Sequence, residues 1–177
     1  MLALVVWEHP SKVPNVGKCG LSGNSSHRVT IVLYQLVYSS KAANKMMLSH
    51  LIGILRQARM KNKLSSVTGL LVFVDGMFLQ VLEGEEDTVK DLMKKISEDT
   101  RHQDIKVIRG STVENRTFTN WEMAYTSPSA KKLAMWSGLE DTRTVEEILS
   151  NLQKDPDIVP ELMLHLLEDI PDSEQHV

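Results

Sequence analysis

The stretch Leu70–Gly84, LLVFVDGMFLQVLEG, is two apolar runs joined by Asp75-Gly76. Asp-Gly between such runs is a two-residue β-hairpin signal, because the turn needs positive φ, which Gly adopts freely and Asp tolerates. The turn sets a register: Val74 opposite Met77, Phe73 opposite Phe78, Val72 opposite Leu79 and Leu71 opposite Gln80. Side chains alternate between the faces of a strand, so Gln80 shares a face with Phe78 and Leu82, opposite Leu71 and Phe73. A carboxamide buried there must be hydrogen-bonded, or cost about 1–3 kcal/mol. The fold therefore needs a hairpin in its core and a partner beside Gln80.

The flanking segments extend this hairpin into a larger pattern. Val29–Ser40 is rich in β-branched and aromatic residues and reads as a strand. In Lys45–Lys63, Met47, Leu48, Leu51, Ile54, Leu55 and Ala58 recur at three- and four-residue spacing, which predicts an amphipathic helix. A second helix is predicted over Glu85–Asp99, with Val89, Leu92, Met93 and Ile96 inward and acidic residues at its start. Asp104–Val113 and Asn120–Tyr125 read as two more strands. The order β-α-β-β-α-β-β predicts an α+β, ferredoxin-like sandwich: a mixed sheet with both helices on one face. The first helix would cross between parallel strands. Beyond Ser127-Pro128, Thr142–Gln153 and Asp157–Ile170 read as further helices, with Pro160 in a first turn and Leu162, Met163, Leu166 and Leu167 as an apolar stripe. Those helices would cover the open sheet face or a neighbouring subunit. Residues 1–27, with their prolines, glycines, serines and asparagines, read as an irregular arm with a candidate strand at Leu2–Val6. The expected division is a 1–27 arm, a 28–126 domain and a 127–177 helical extension.

Charge and motif content narrow the function. A net charge of −3 argues against a general nucleic-acid binder. Cys19 is the only cysteine, which excludes an intrachain disulfide and a cysteine-cluster metal site and suits a reducing, cytosolic setting. No apolar run is long enough to span a membrane, and the opening MLALVVW lacks the cationic flank of a secretory signal. There is no phosphate-cradling glycine loop, HExxH or serine elbow, and the six histidines lack ligand spacing, so no metal is expected. The run Glu83, Glu85, Glu86 and Asp87 reads as a charged loop and helix start.

More informative are polar residues placed where apolar ones are expected. Tyr38 and Ser40 close the first strand, Asn62 lies just beyond the first helix, Gln80 interrupts the third strand, and Asp99, Arg101 and His102 follow the second helix. With both helices on one face, Tyr38 and Gln80 would point into the groove between them, with Asn62 and Arg101 at its mouth. Such a groove suits a flat heteroaromatic ligand bearing a phosphate. The alternative is a core glutamine satisfied by a neighbouring tyrosine.

In order along the chain, LVYSS (with Tyr38), KNKLSSVTGLL (Asn62, Thr68, Gly69), FLQVLEG (Gln80), EDTRHQD (Asp99, Arg101, His102) and FTNWEMAY (Trp121, Met123) together resemble the BLUF family of flavin-binding blue-light sensors. The resemblance covers about Thr30 to Tyr125. It implies a non-covalent flavin, commonly FAD, with FMN or riboflavin as alternatives, held between the two helices. It implies Tyr38 and Gln80 as the photochemical pair, Asn62 on the pyrimidine-like edge, and Arg101 and His102 on the flavin or its tail. Asp99 would fix that loop and Ile54 would pack on the ring, with Ser40 in the same set. Trp121 and Met123 match the segment implicated in signalling. Lys61 departs from the His or Asn frequent before the asparagine in the family, and is left out of the set.

The expectation is a blue-light photoreceptor acting through protein contacts rather than an enzyme, since the roughly 50 residues after Tyr125 are few for a catalytic domain of about 100–150. A homo-oligomer is expected, because the sheet face bearing Ile31 and Leu33 is apolar and must be covered. The rival readings are a flavin-dependent oxidoreductase and a ligand-free interaction module.

Overall fold

The computed structural model describes residues 32–142 and 144–171. The hairpin forms in the expected register: β2 (Thr68–Val74) and β3 (Met77–Glu85) pair antiparallel, with Val74 opposite Met77 and Leu71 opposite Gln80. Asp75 and Gly76 take φ of 48° and 79°, the left-handed pair that a type I′ turn requires. β1 (Leu33–Ala42) pairs antiparallel with the other edge of β3, so β1 and β2 flank β3 and run parallel to each other. β4 (His102–Val113) and a short β5 (Ala124–Thr126) complete the order β4-β1-β3-β2-β5. β5 runs parallel to β2, which makes the sheet mixed. The ferredoxin-like α+β expectation is borne out.

α1 (Leu48–Leu64) and α2 (Glu86–Ser97) cover one face. Leu51 and Leu55 of α1 and Val89 of α2 bury with Leu36, Tyr38, Leu71, Phe78 and Leu82 of the sheet. The Glu85 side chain caps α2 by accepting from the Thr88 amide at 3.3 Å, with Glu86 and Asp87 in the first turn and Lys94 and Lys95 in the last. α1 begins later than its apolar pattern suggested. Met47 makes no side-chain cap, and it and Leu48 are 55% and 70% exposed, so only the later part of the stripe is buried.

The opposite face is covered by α3 (Ala130–Trp136), α4 (Val145–Lys154) and α5 (Val159–Glu168), the last following a 3-10 turn at Pro156–Ile158. Leu133, Ile148, Leu149, Leu152, Leu162 and Leu166 join Val37, Leu70, Val72, Leu79, Val81 and Ile108 in a second core. α4 carries a capping box between Thr144 and Glu147, and Pro160 sits in the first turn of α5. α3 was not anticipated, because seven residues with two buried apolar side chains are too few to display a helical period. The C-terminal helices thus cover this face of the sheet. Ile31, the 1–27 arm and the candidate strand at Leu2–Val6 lie outside the described residues.

One element needs correction. The strand expected over Asn120–Tyr125 starts only at Ala124. The residues before it turn instead, because their backbone groups are engaged locally: Trp121 N–H donates to Phe118 O at 3.4 Å and Trp121 O accepts from Gly69 N at 3.2 Å. Among the described residues, no helix is long and apolar enough to cross a membrane, and no cluster of three or more His, Cys, Asp or Glu could hold a metal ion.

Candidate functional site

Alternation along β1 turns Leu36, Tyr38 and Ser40 toward α1 and α2, and alternation along β3 turns Phe78, Gln80 and Leu82 the same way. Tyr38 lies opposite Gln80 in the β1–β3 register, so the phenol and carboxamide meet in the middle of the sheet. The Tyr38 hydroxyl donates to Gln80 Oε1. Tyr38 is fully buried, and burial, helped by the negative charge of Asp99, pushes its pKa far above the usual phenol range. The hydroxyl therefore keeps its proton. Gln80 is 7% exposed, and its Nε2 donates to Met123 Sδ at 3.4 Å.

These neighbours select one orientation of the amide. A thioether can accept a hydrogen bond but has no proton to give. Met123 can only accept, so Gln80 turns its nitrogen to the sulfur, and the Tyr38 hydroxyl, which could donate or accept, then donates to the oxygen. Inverting the amide would set Oε1 against Sδ with no proton between them.

The β1–β4 register shifts on either side of this position, between Val37 and Tyr38 and between Ser39 and Lys41. Such bulges re-aim side chains next to functional sites. Within the second shift, Ser40 Oγ lies 2.8 Å from His102 Nδ1, and the His102 ring centroid sits 4.8 Å from that of Phe78. Burial, with the Arg101 charge, pushes the His102 pKa below its ordinary value against the opposing pull of Asp99. Burial alone would raise the Asp99 pKa, but hydrogen bonds from the Arg101 side chain and amide, with the charges of Arg101 and His102, hold it below the usual carboxylate value. Arg101 also reaches Gln57 Oε1 of α1 at 3.3 Å, joining the loop after α2 to α1.

The remaining expected residues divide. Ile54 is half-buried against the α1–α2 cluster, and Lys61 is half-buried next to Asn62 in the chain. Asn62 is 2% exposed and donates to Glu122 O at 2.7 Å rather than to Tyr38 or Gln80. Met123 is buried on Gln80, whereas Trp121 packs half-buried against the core on the other face.

Two residues of this neighbourhood were missed. Arg59 of α1 donates from Nε to Met123 O at 2.9 Å. Glu83, read as part of a charged loop, is fully buried within β3. Its carboxylate accepts from Gln35 Nε2 at 2.8 Å, Thr117 N at 2.9 Å, Phe118 N at 3.0 Å and Thr68 Oγ1 at 3.4 Å. The rest of that acidic run does begin a helix.

The donor set fits a flavin. The amide of Gln80 carries two N–H donors, and the acceptor it meets here is a weak thioether. Arg101 offers a guanidinium and His102 a ring nitrogen at the same end, with Ile54 and Ile105 as apolar surface. Of two surface cavities, one of about 490 Å³ is lined by Lys41, Asn44, Lys45 and Phe73 among others and one of about 270 Å³ by Asn62, Arg116, Trp121 and Glu122 among others; neither is lined by Tyr38 or Gln80.

A family model, BLUF, described as sensors of blue-light using FAD, matches residues 33–124. The beta subunit of photoactivated adenylate cyclase from Euglena gracilis is 34% identical over 122 residues, which is 69% of this chain and 13% of that protein. The alpha subunit from the same organism is 34% identical over 122 residues, 69% of this chain and 11% of that one. The chain thus spans only a small part of these curated relatives. Among solved structures, the ground state of BlsA aligns with a TM-score of 0.64 and 30% identity, over 75% of this chain and 88% of the other. The dark state of BlrB, a BLUF protein, aligns with a TM-score of 0.62 over 80% and 99% of the two chains. Its 24% identity speaks to fold alone.

Proposed function

The chain belongs to the BLUF family, sensors of blue light using FAD, and from that premise we propose that Tyr38 and Gln80 are its photochemical pair. The observation that carries this reading is the hydrogen bond from the buried Tyr38 hydroxyl to Gln80 Oε1. A bound flavin supplies blue-light absorption and an excited state able to oxidise a phenol. Tyr38 is the matching donor: it is protonated in the dark, and its proton already lies on a bond leading to Gln80. Gln80 can offer either end of its amide, so reversing or tautomerising it changes what the strand presents to a neighbouring flavin edge.

Asn62, Ile54, Ser40, Arg101 and His102 complete the pocket in this reading, with Asp99 fixing the Arg101 guanidinium. Met123 senses the Gln80 amide directly and, with Trp121, passes the change along the segment that enters β5. Output passes by protein contact in the cytosol, to an unidentified partner or a second copy of the chain.

The test is the visible spectrum of the FAD-loaded chain before and after blue light. Flavin bands that move to the red and recover in the dark are expected. Flavin-bound protein with a spectrum unchanged by illumination sinks the proposal. Steady-state oxidation of NADH would favour an oxidoreductase, and failure to retain any flavin a ligand-free module.

A further inference from the structure

We propose that Arg59 is a positioning residue for the photocycle, holding the Met123 sulfur against the Gln80 amide; this rests on the photosensor reading above. Arg59 and Asn62 are three residues apart, on one side of α1. They donate to consecutive carbonyls, Arg59 to Met123 O at 2.9 Å and Asn62 to Glu122 O at 2.7 Å. The segment they hold has no ladder of its own, since β5 begins only at Ala124. Its backbone ties include the Gly69 N bond to Trp121 O and the Trp121 N bond to Phe118 O. The Met123 side chain is packed in the core and Ala124 after it is paired with β2, while its own carbonyl is held by Arg59 of α1.

That placement matters because the Met123 contact with Gln80 is weak and steep with distance. A sulfur acceptor at 3.4 Å favours the amide orientation with nitrogen toward it only while it stays there. The bond from Arg59 has a charged donor, the stronger kind. It fixes the backbone carbonyl of the residue whose side chain touches the switch, and so biases Gln80 toward the orientation seen here. Without it, Met123 drifts, the bias falls, and the return of Gln80 to this orientation after illumination slows.

The experiment compares the FAD-loaded full chain with Arg59→Met, Arg59→Lys, Met123→Leu and the Arg59→Met/Met123→Leu double variant. Arg59→Met is expected to bind flavin and shift to the red, but to recover about three- to tenfold more slowly, the scale of losing one charge-assisted hydrogen bond partly felt at the barrier. Arg59→Lys should recover part of the rate. Met123→Leu should slow recovery similarly, and adding Arg59→Met should slow it no further, because Arg59 acts through Met123. Independently of light, amide hydrogen exchange at residues 121–124 in the dark should rise in Arg59→Met. Recovery and exchange both unchanged in Arg59→Met overturn the inference, as does a full additional slowing in the double variant. If Arg59→Met does not fold, Arg59→Lys with wild-type recovery and exchange overturns it too. A wild type that fails to shift removes the photosensor reading and this inference with it; a wild type that shifts beside an indifferent Arg59 variant removes only the inference.

Discussion

Gln80 stands between a phenol that cannot easily ionise and an acceptor that cannot donate, and that asymmetry goes with the amide orientation seen here. Gln80→Leu keeps a similar volume but leaves the buried Tyr38 hydroxyl without its partner. It should retain flavin, lose the light-induced red shift, and cost about 1–3 kcal/mol in stability for the unmet hydroxyl. Adding Tyr38→Phe should return much of that stability, since two apolar groups then replace a bonded polar pair. Difference spectroscopy and urea unfolding read the two effects separately; a red shift that persists in Gln80→Leu would remove Gln80 from the mechanism. Gln80 was legible in the sequence because it interrupts an apolar strand at a position whose register the Asp75-Gly76 turn dictates, and Tyr38 because it is a polar side chain closing the first strand. Glu83 was not, because Gly84, Glu85 and Glu86 beside it look like a charged loop, and three of its four donors come from Gln35, Thr117 and Phe118, remote in the chain. Arg59 was hidden for a similar reason: on a helix end rich in Lys and Arg, one more cation reads as a complement to the helix dipole.

At the scale of the elements, the hairpin was readable to the residue, while the limits of α1 and β5 were not. Local turn chemistry fixes the first; competition from remote side chains and backbone for the 120–123 segment fixes the last. Two glycines show how differently elements tolerate the same change. A Cβ on Gly69, at the start of β2, would lie 2.0 Å from Val81 O, a backbone atom of the paired strand. A Cβ on Gly53, inside α1, would meet nothing within 4 Å. Gly69→Ala should therefore force β2 and β3 apart and destabilise by at least about 1–3 kcal/mol. Gly53→Ala should stabilise by roughly 0.5–1 kcal/mol, because alanine loses less backbone entropy in a helix. Denaturant midpoints of the two variants check the opposite signs. Equal shifts in one direction would show that strand separation at Gly69 is not what limits that site.

Over the whole molecule, the sheet is sandwiched between two cores, one shared with α1 and α2 and one with α3, α4 and α5. Near-continuous apolar runs such as Leu70–Val74 are the sequence signature of strands covered on both sides. What the runs do not disclose is which segment provides the second cover, since an apolar helix face matches an apolar sheet face in its own chain or in another. β3 links the two cores: Gln80 faces α1 and α2, while its neighbours Leu79 and Val81 face the C-terminal helices. Loosening the far cover should thus be felt at the pocket. Leu166, fully buried in α5, reports this. Leu166→Ala should cost about 2–5 kcal/mol, the range for removing a buried leucine side chain. Because both cores share the sheet strands, helix signal in far-UV circular dichroism and flavin absorbance should still be lost together, at one lowered denaturant midpoint. If the helix signal fell early while flavin stayed bound to the wild-type midpoint, α3–α5 would be an independent appendage, and the path from Gln80 to the far face of the sheet would carry no coupling.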